Sequence, residues 1–407
     1  MVGGIVITAG TAVGAGMFSL PVVSSGMWFG WSLVSMLLSW FVLYRVSLMI
    51  LEVNLHFKPG DSFNTMVSAT LGKGWNVVNG LLFAFLMYIL DYAYISGGGS
   101  IVNQTLLSTF GYAPPQMLSG FIFAFLLSFV VWFSTKAVDR VTSILIVGML
   151  VTFAMAVFDL TLAAQLGNLF TNGSDGQGEV PAYFYMFAAL PFYLTSFGYY
   201  GSVPSLVKYY GKKPQIIAKA MLIGSLGCFV IYALWLLATF GNLNQTAFLS
   251  IIEQGGNIGI LVGAINEVVT TDGLDKVLGA FANMAIISSF LGVSLCLFDF
   301  IADKFKFDDS GMGRFKTALV VFVPPTIGGV LFPHGFITAI GFAGLVCAVN
   351  ALIIPPLMLK KSRQMFGETG YSSKGGDGLI YCIIALGVFY ALCNIFSIFN
   401  WLPVFGR

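Results

Sequence analysis

Long apolar stretches separated by short polar connections run the length of the chain. Spanning a bilayer takes about 20 consecutive, mainly apolar residues. On that measure the pattern predicts eleven spans, at roughly 2–25, 29–55, 76–99, 117–134, 142–164, 182–207, 217–240, 276–302, 316–332, 336–358 and 378–399. No polar connection between them is long enough to fold alone. The segment 245–270 is long for a loop and partly apolar, which predicts short helices over one mouth of the bundle.

Two of the apolar stretches contain interruptions. In the first, Ala9 to Pro21 carries Gly10, Gly14 and Gly16 and ends in proline. Glycine inside a helix weakens it by about 1 kcal/mol relative to alanine, so this run predicts a break rather than continuous helix. Gly10 and Gly14 also form a small-xxx-small pair, which alone could serve close helix packing. The sixth stretch repeats the feature at Thr195 to Pro204, where Gly198, Gly201 and Pro204 interrupt it. Gly14 and Gly198 lie about 185 residues apart, near the length of five spans with their connections. Interrupted helices at matching places in two halves point to a transport site. Repeat one would cover about 1–165, repeat two about 181–358, with an extra helix at about 378–399.

Composition agrees with membrane burial. The chain is 57% hydrophobic and 9% charged, where a soluble domain would carry about 25% charged residues. The predicted class is an all-α polytopic membrane protein forming a single transporter domain. The net charge of +2 matters less than its placement. Putting the N-terminus in the cytoplasm places sixteen of the nineteen Lys and Arg in inner connections. Lys276 and Arg407 then lie outside and Arg45 within a span. The positive-inside rule supports that orientation, with the C-terminus external. The outer loops are acidic or neutral, with Asp175, Glu179, Glu253, Glu267 and Asp272. The five cysteines sit in apolar runs without CxxC spacing and read as buried free thiols. His56 and His334 fall at opposite faces and cannot share a metal.

The chemistry expected at two broken helices is specific. A half-helix N-terminus offers free N–H groups and partial positive charge, and a half-helix C-terminus offers free carbonyls. An amino acid zwitterion needs one of each. The amides of Gly14, Ala15, Gly16 and Met17 are candidates for the carboxylate. Carbonyls around Ala9, Thr195 and Ser196 are candidates for the ammonium. Phe197 and Gly198 lie in the second break, where an aromatic ring could stack on a substrate. Tyr88, Asp91, Tyr92 and Ile95 share one helical face of the third span. Asp91 is an ionisable residue at membrane depth, a functional candidate by default. Ser288 and Ser289 lie mid-span in the eighth stretch, where each hydroxyl could bond back to its own helix.

Several blocks carry a family resemblance. Gly14 to Pro21, Tyr92 to Ser96, Phe197-Gly198 with Val203-Pro204-Ser205, Ser288 to Val293 and Leu297-Phe298-Asp299 resemble the bacterial aromatic amino acid permeases. These form the hydroxy/aromatic amino acid permease family of the amino acid–polyamine–organocation superfamily. Leu71 to Gly80 and Lys208 to Lys212 most resemble its tryptophan-specific branch. The resemblance implies proton-coupled uptake across a bacterial inner membrane, with the C-terminus periplasmic. It also implies a LeuT-like fold of two five-helix inverted repeats, with helices 1 and 6 broken and one helix added. In such a fold the Tyr88, Asp91, Tyr92 and Ile95 face of the third span would face the site, and Ser288 and Ser289 would join first-span carbonyls around an ion. Two positions depart from the family pattern: Met149 stands where a lysine is usual, and Asp91 where relatives are neutral.

The expected function is import of an aromatic amino acid, most closely tryptophan, by ion symport with proton as the first candidate ion. A tyrosine or broad aromatic permease, a sodium-coupled symporter, and a channel-like facilitator or sensor remain alternatives. The partners expected are the substrate, the coupling ion and membrane lipid, with no cofactor, metal or nucleic acid. An enzyme is not expected, because no nucleophile–base set is visible at membrane depth. Asn283 and Asn350 are further polar candidates within spans. Arg45 and Glu52, seven residues apart on one face, suggest a structural ion pair or snorkelling side chains.

Overall fold

The structure, a computed structural model, describes residues 1–170, 180–367 and 370–406. Asp175, Glu179 and Arg407 lie outside the described residues. The described residues are helical throughout their regular structure, without strands. The chain opens with α1 (Val2–Ala12), a 3-10 turn at Ala15–Phe18 and α2 (Ser19–Ser24). Then come α3 (Trp28–Asn54), α4 (Phe63–Leu71), α5 (Lys73–Phe110), α6 (Gln116–Phe133) and α7 (Thr135–Ala163). α8 (Tyr185–Ser196), a 3-10 turn at Tyr199–Ser202 and α9 (Val203–Tyr210) follow. The second half continues with α10 (Pro214–Asn242), α11 (Gln245–Glu253), α12 (Ile258–Val268), α13 (Leu274–Phe305) and α14 (Gly311–Leu331). It ends with α15 (Phe336–Leu352), α16 (Ile354–Phe366) and α17 (Gly376–Ile398).

Among the described residues, nine helical segments are long and apolar enough to cross a membrane, counting α15 and α16 as one. The pair formed by α1 and the segment Ala15–Ser24, bent by 49°, makes ten. The sixth apolar stretch accounts for the difference from eleven. It is divided into the 12-residue α8 and the 8-residue α9, each too short to cross alone. The short helices expected within 245–270 are α11 and α12. Outward-facing apolar side chains such as Phe125, Phe129, Ile144, Val147, Val151 and Phe158 form a belt suited to lipid. The chain is a multi-pass membrane protein.

α13 is the central post and packs on α7, α5 and α14, while α1 lies along α10. Small residues permit these approaches. A Cβ on Gly99 of α5 would lie 2.8 Å from the backbone of Gly120, so α5 and α6 touch main chain to main chain.

The pairing suggested for Arg45 and Glu52 is not present. The Arg363 guanidinium on α16 donates twice to Glu52, at 2.7 and 2.9 Å, and the Ser373 N–H donates to Glu52 Oε2 at 2.6 Å. Arg45 donates to the carbonyls of Ser373 and Lys374 instead. Seven residues put both side chains on one face of α3, but the 370–375 segment and α16 reach each with a better-placed partner. This knot ties α3, α16 and the entry to α17 together on the face of the bundle that carries the basic connections.

Candidate functional site

The first break begins where α1 ends. Val13 is extended, with φ −73° and ψ 115°, and Gly14 more so, with φ −173° and ψ −160°. Chain direction then resumes through the 3-10 turn and α2. The Val13 N–H donates to Ala9 O at 2.9 Å, and the Met17 N–H to Gly14 O at 3.2 Å. The Ala15 N–H donates across the bundle to Ser289 Oγ on α13, at 3.0 Å. The Gly14 and Gly16 amides have no hydrogen-bond partner among the described residues. They are two unoccupied donors at the entrance of a half-helix, the arrangement that binds anions. Glycine at position 14 leaves room for Ser289 of α13, because a Cβ there would lie 2.5 Å from Ser289 Oγ.

The second break follows α8. Phe197 and Gly198 leave helical geometry, both with ψ near 25°, before the second 3-10 turn and α9. The Phe197 N–H still reaches Tyr193 O at 3.2 Å, and the Gly198 N–H reaches Thr195 O at 3.1 Å. Phe197 is fully buried, its ring edge-on to Tyr232 at 5.1 Å.

The two breaks meet at Tyr232 of α10. Its hydroxyl lies 2.7 Å from Ala12 O, the last carbonyl of α1, and 2.7 Å from Ser196 O, the last carbonyl of α8. The carbonyls expected to receive an ammonium are therefore partly engaged. Ala9 O accepts from the Val13 N–H and, at 3.7 Å, from Cys228 Sγ; Thr195 O accepts from Gly198, and Ser196 O from Tyr232. A carbonyl has two acceptor positions, so Thr195 O and Ser196 O each keep room for a second donor, while Ala9 O already holds two.

The candidates on α5 separate into two groups. The Tyr88 hydroxyl donates to Val320 O of α14 at 2.9 Å, and the Tyr92 hydroxyl to Phe332 O just past it at 3.0 Å. Ile95 packs against Gly329 and Gly120. Tyr88, Tyr92 and Ile95 thus face α14 and α6, not the breaks, because the glycines of α6 and α14 draw that side of α5 toward them. Asp91 is fully buried between α5 and α13, accepting from Ser294 Oγ at 2.9 Å on one oxygen. Its other oxygen has no partner among the described residues.

The adjacent serines of α13 also differ. Ser288 Oγ donates back to Ala285 O at 3.1 Å, whereas Ser289 accepts the Ala15 amide. Asn283 donates to Thr105 Oγ1 and to Gly279 O, away from the breaks. Asn350 is buried, and its Oδ1 has no partner among the described residues. Met149 is buried on α7 and offers no titrating group.

Exposure defines an approach to the breaks. Ser289 and Gly16 are half-buried, while Thr11, Gly201, Gly292, Cys296 and Asp299 are exposed. Ser289, Gly292, Cys296 and Asp299 share one face of α13, which extends from the first break toward the basic face. On the opposite side Phe18, Trp235 and Phe281 are fully buried and in ring contact, with centroids 5.1–5.9 Å apart. Tyr232 was the functional candidate that hydropathy did not single out. Its only signal in the sequence is a hydroxyl in an apolar span, which must find a partner when buried.

The chain matches the tryptophan/tyrosine permease family over residues 1–394. It is 50% identical to a tryptophan-specific transport protein of Pseudomonas aeruginosa (strain UCBPP-PA14), covering 99% of this chain and 96% of that one. A tryptophan-specific transport protein of Shigella flexneri is 48% identical, covering 100% and 97%. A third, from Haemophilus influenzae (strain ATCC 51907 / DSM 11121 / KW20 / Rd), is 44% identical, covering 100% and 98%. The chain therefore belongs to the tryptophan/tyrosine permease family.

Proposed function

We propose that this protein is a secondary active transporter that imports tryptophan across a bacterial inner membrane by proton symport with alternating access. The observation that carries the reading is the meeting of two interrupted helices, about 185 residues apart in sequence, at one tyrosine hydroxyl. The names of the similar proteins support tryptophan as the substrate.

In this reading the substrate carboxylate takes the vacant Gly14 and Gly16 amides, with Ala15 and Met17 completing the turn. The ammonium takes the open acceptor positions on the carbonyls that end α1 and α8, at Ala12, Thr195 and Ser196, while Ala9 O already accepts from Val13 and Cys228. The indole lies near Phe197 and Gly198. Tyr88 and Tyr92 drop out of the substrate set because their hydroxyls are committed to α14 and the turn after it. Asp91 is the proton-carrying group, with one oxygen held by Ser294 and the other open. Ser289 holds the first break to α13; Ser288 has no part beyond its own helix.

The proposed fold is a LeuT-like 5+5 inverted repeat of eleven spans, with the N-terminus cytoplasmic. The accessible path toward the basic face supports a state open to the cytoplasm, with the ring cluster of Phe18, Trp235 and Phe281 as the closed outer side. Purified protein in proteoliposomes, supplied with radiolabelled tryptophan, tests the function. Accumulation above equilibrium under an imposed proton gradient, but not under a sodium gradient, is the expected result. Equilibration without accumulation would establish a facilitator instead.

A further inference from the structure

We infer that Tyr232 is the positioning residue for recognition of the substrate's ammonium, an inference that rests on the transport reading above. Its hydroxyl is fully buried and placed 2.7 Å from both Ala12 O and Ser196 O. A phenol has one hydrogen to donate, and two carbonyls compete for it. At any instant one of the two lacks its donor, and each keeps a second acceptor position. Both are last-turn carbonyls, from which the helix dipole projects partial negative charge. The hydroxyl therefore draws two negative helix ends to within reach of one point while leaving them under-satisfied. A group with several N–H donors and a positive charge completes them; a neutral or anionic group does not.

Tyr232 also braces the aromatic side of the site. Phe197, in the second break, rests edge-on against its ring at 5.1 Å. About two turns along α10 from Tyr232, α10 is held close to α1, since a Cβ on Gly224 would lie 2.7 Å from Thr8 Cβ. The hydroxyl thus has a fixed position from which to set the carbonyls. Tyr232 is a positioning residue because it acts on the substrate through Ala12 and Ser196.

Tyr232→Phe removes the hydroxyl and keeps the ring on Phe197. The test is competition against radiolabelled L-tryptophan binding to the full-length protein in detergent. Three competitors are used: L-tryptophan, tryptamine, which keeps the ammonium but lacks the carboxylate, and indole-3-propionate, which keeps the carboxylate but lacks the ammonium. In Tyr232→Phe, L-tryptophan and tryptamine are expected to weaken about tenfold, the loss of roughly one hydrogen bond, with indole-3-propionate changed less than twofold. Equal weakening of all three, or no weakening, would overturn the assignment while leaving the transport reading intact. Wild-type protein that binds no L-tryptophan would overturn both.

Discussion

The contact between Gly14 and Ser289 allows a quantitative test of how the first break is held. In Gly14→Ala the new methyl would start 2.5 Å from Ser289 Oγ, against an ordinary contact of 3.4 Å or more. The hydroxyl can rotate away, but it then abandons the Ala15 N–H that it accepts at 3.0 Å. Ala15 is fully buried, so its amide is left without a partner. An unsatisfied buried amide costs about 1–3 kcal/mol. Backbone strain adds nothing, since the extended conformation of Gly14 is open to alanine. Ser289→Ala loses the same hydrogen bond directly and is expected to cost a similar amount. Its Cβ stands 3.8 Å from the methyl that alanine would place at position 14, so no clash remains for the second substitution to meet. Gly14→Ala in the Ser289→Ala background should therefore cost under about 0.5 kcal/mol, and the double-mutant cycle should show a coupling near the size of either single effect. L-tryptophan affinity, measured alongside the melting temperature of the four proteins in detergent, is the assay; each single variant should bind about 10- to 100-fold more weakly. Additive losses would refute the argument, because they would mean that the two residues act on the break independently.

Other consequences follow from contacts elsewhere in the bundle. Asp91→Asn should abolish accumulation driven by a proton gradient in proteoliposomes while leaving tryptophan exchange; unchanged coupling would remove Asp91 from the mechanism. Ser288→Ala should leave tryptophan affinity within about twofold, since its hydroxyl serves only the carbonyl of Ala285, in contrast to Ser289→Ala. Glu52→Ala should lower stability by about 1–3 kcal/mol, read as a fall in melting temperature, because Arg363 and the Ser373 amide lose a shared acceptor. Gly99→Ala should be more damaging to folding than Gly74→Ala. The former meets the backbone of Gly120 at 2.8 Å and the latter meets open space, a difference readable in the yield of monodisperse protein.

The sequence alone determined the class, the breaks and most of the spans. Membrane burial forces every backbone polar group to be satisfied within its segment, so apolar length reports helices directly. Glycine and proline report their interruptions for the same reason: Gly14, Gly198 and Pro204 lie in the segments where helices stop and restart. Hydropathy could count the sixth stretch as one span because it sees composition and not the division between α8 and α9. What the tertiary structure decided is which way each polar side chain turns. Helical spacing put Tyr88, Asp91 and Tyr92 on one broad face, yet two neighbouring helices, α14 and α13, divide that face between them. The same limit separated Ser288 from Ser289, adjacent residues whose hydroxyls have different partners. It also hid Tyr232, whose role depends on two carbonyls 36 and 220 residues distant in sequence. Periodicity describes a helix by itself, whereas a hydrogen bond across a bundle is set by the packing of helices that no local pattern encodes.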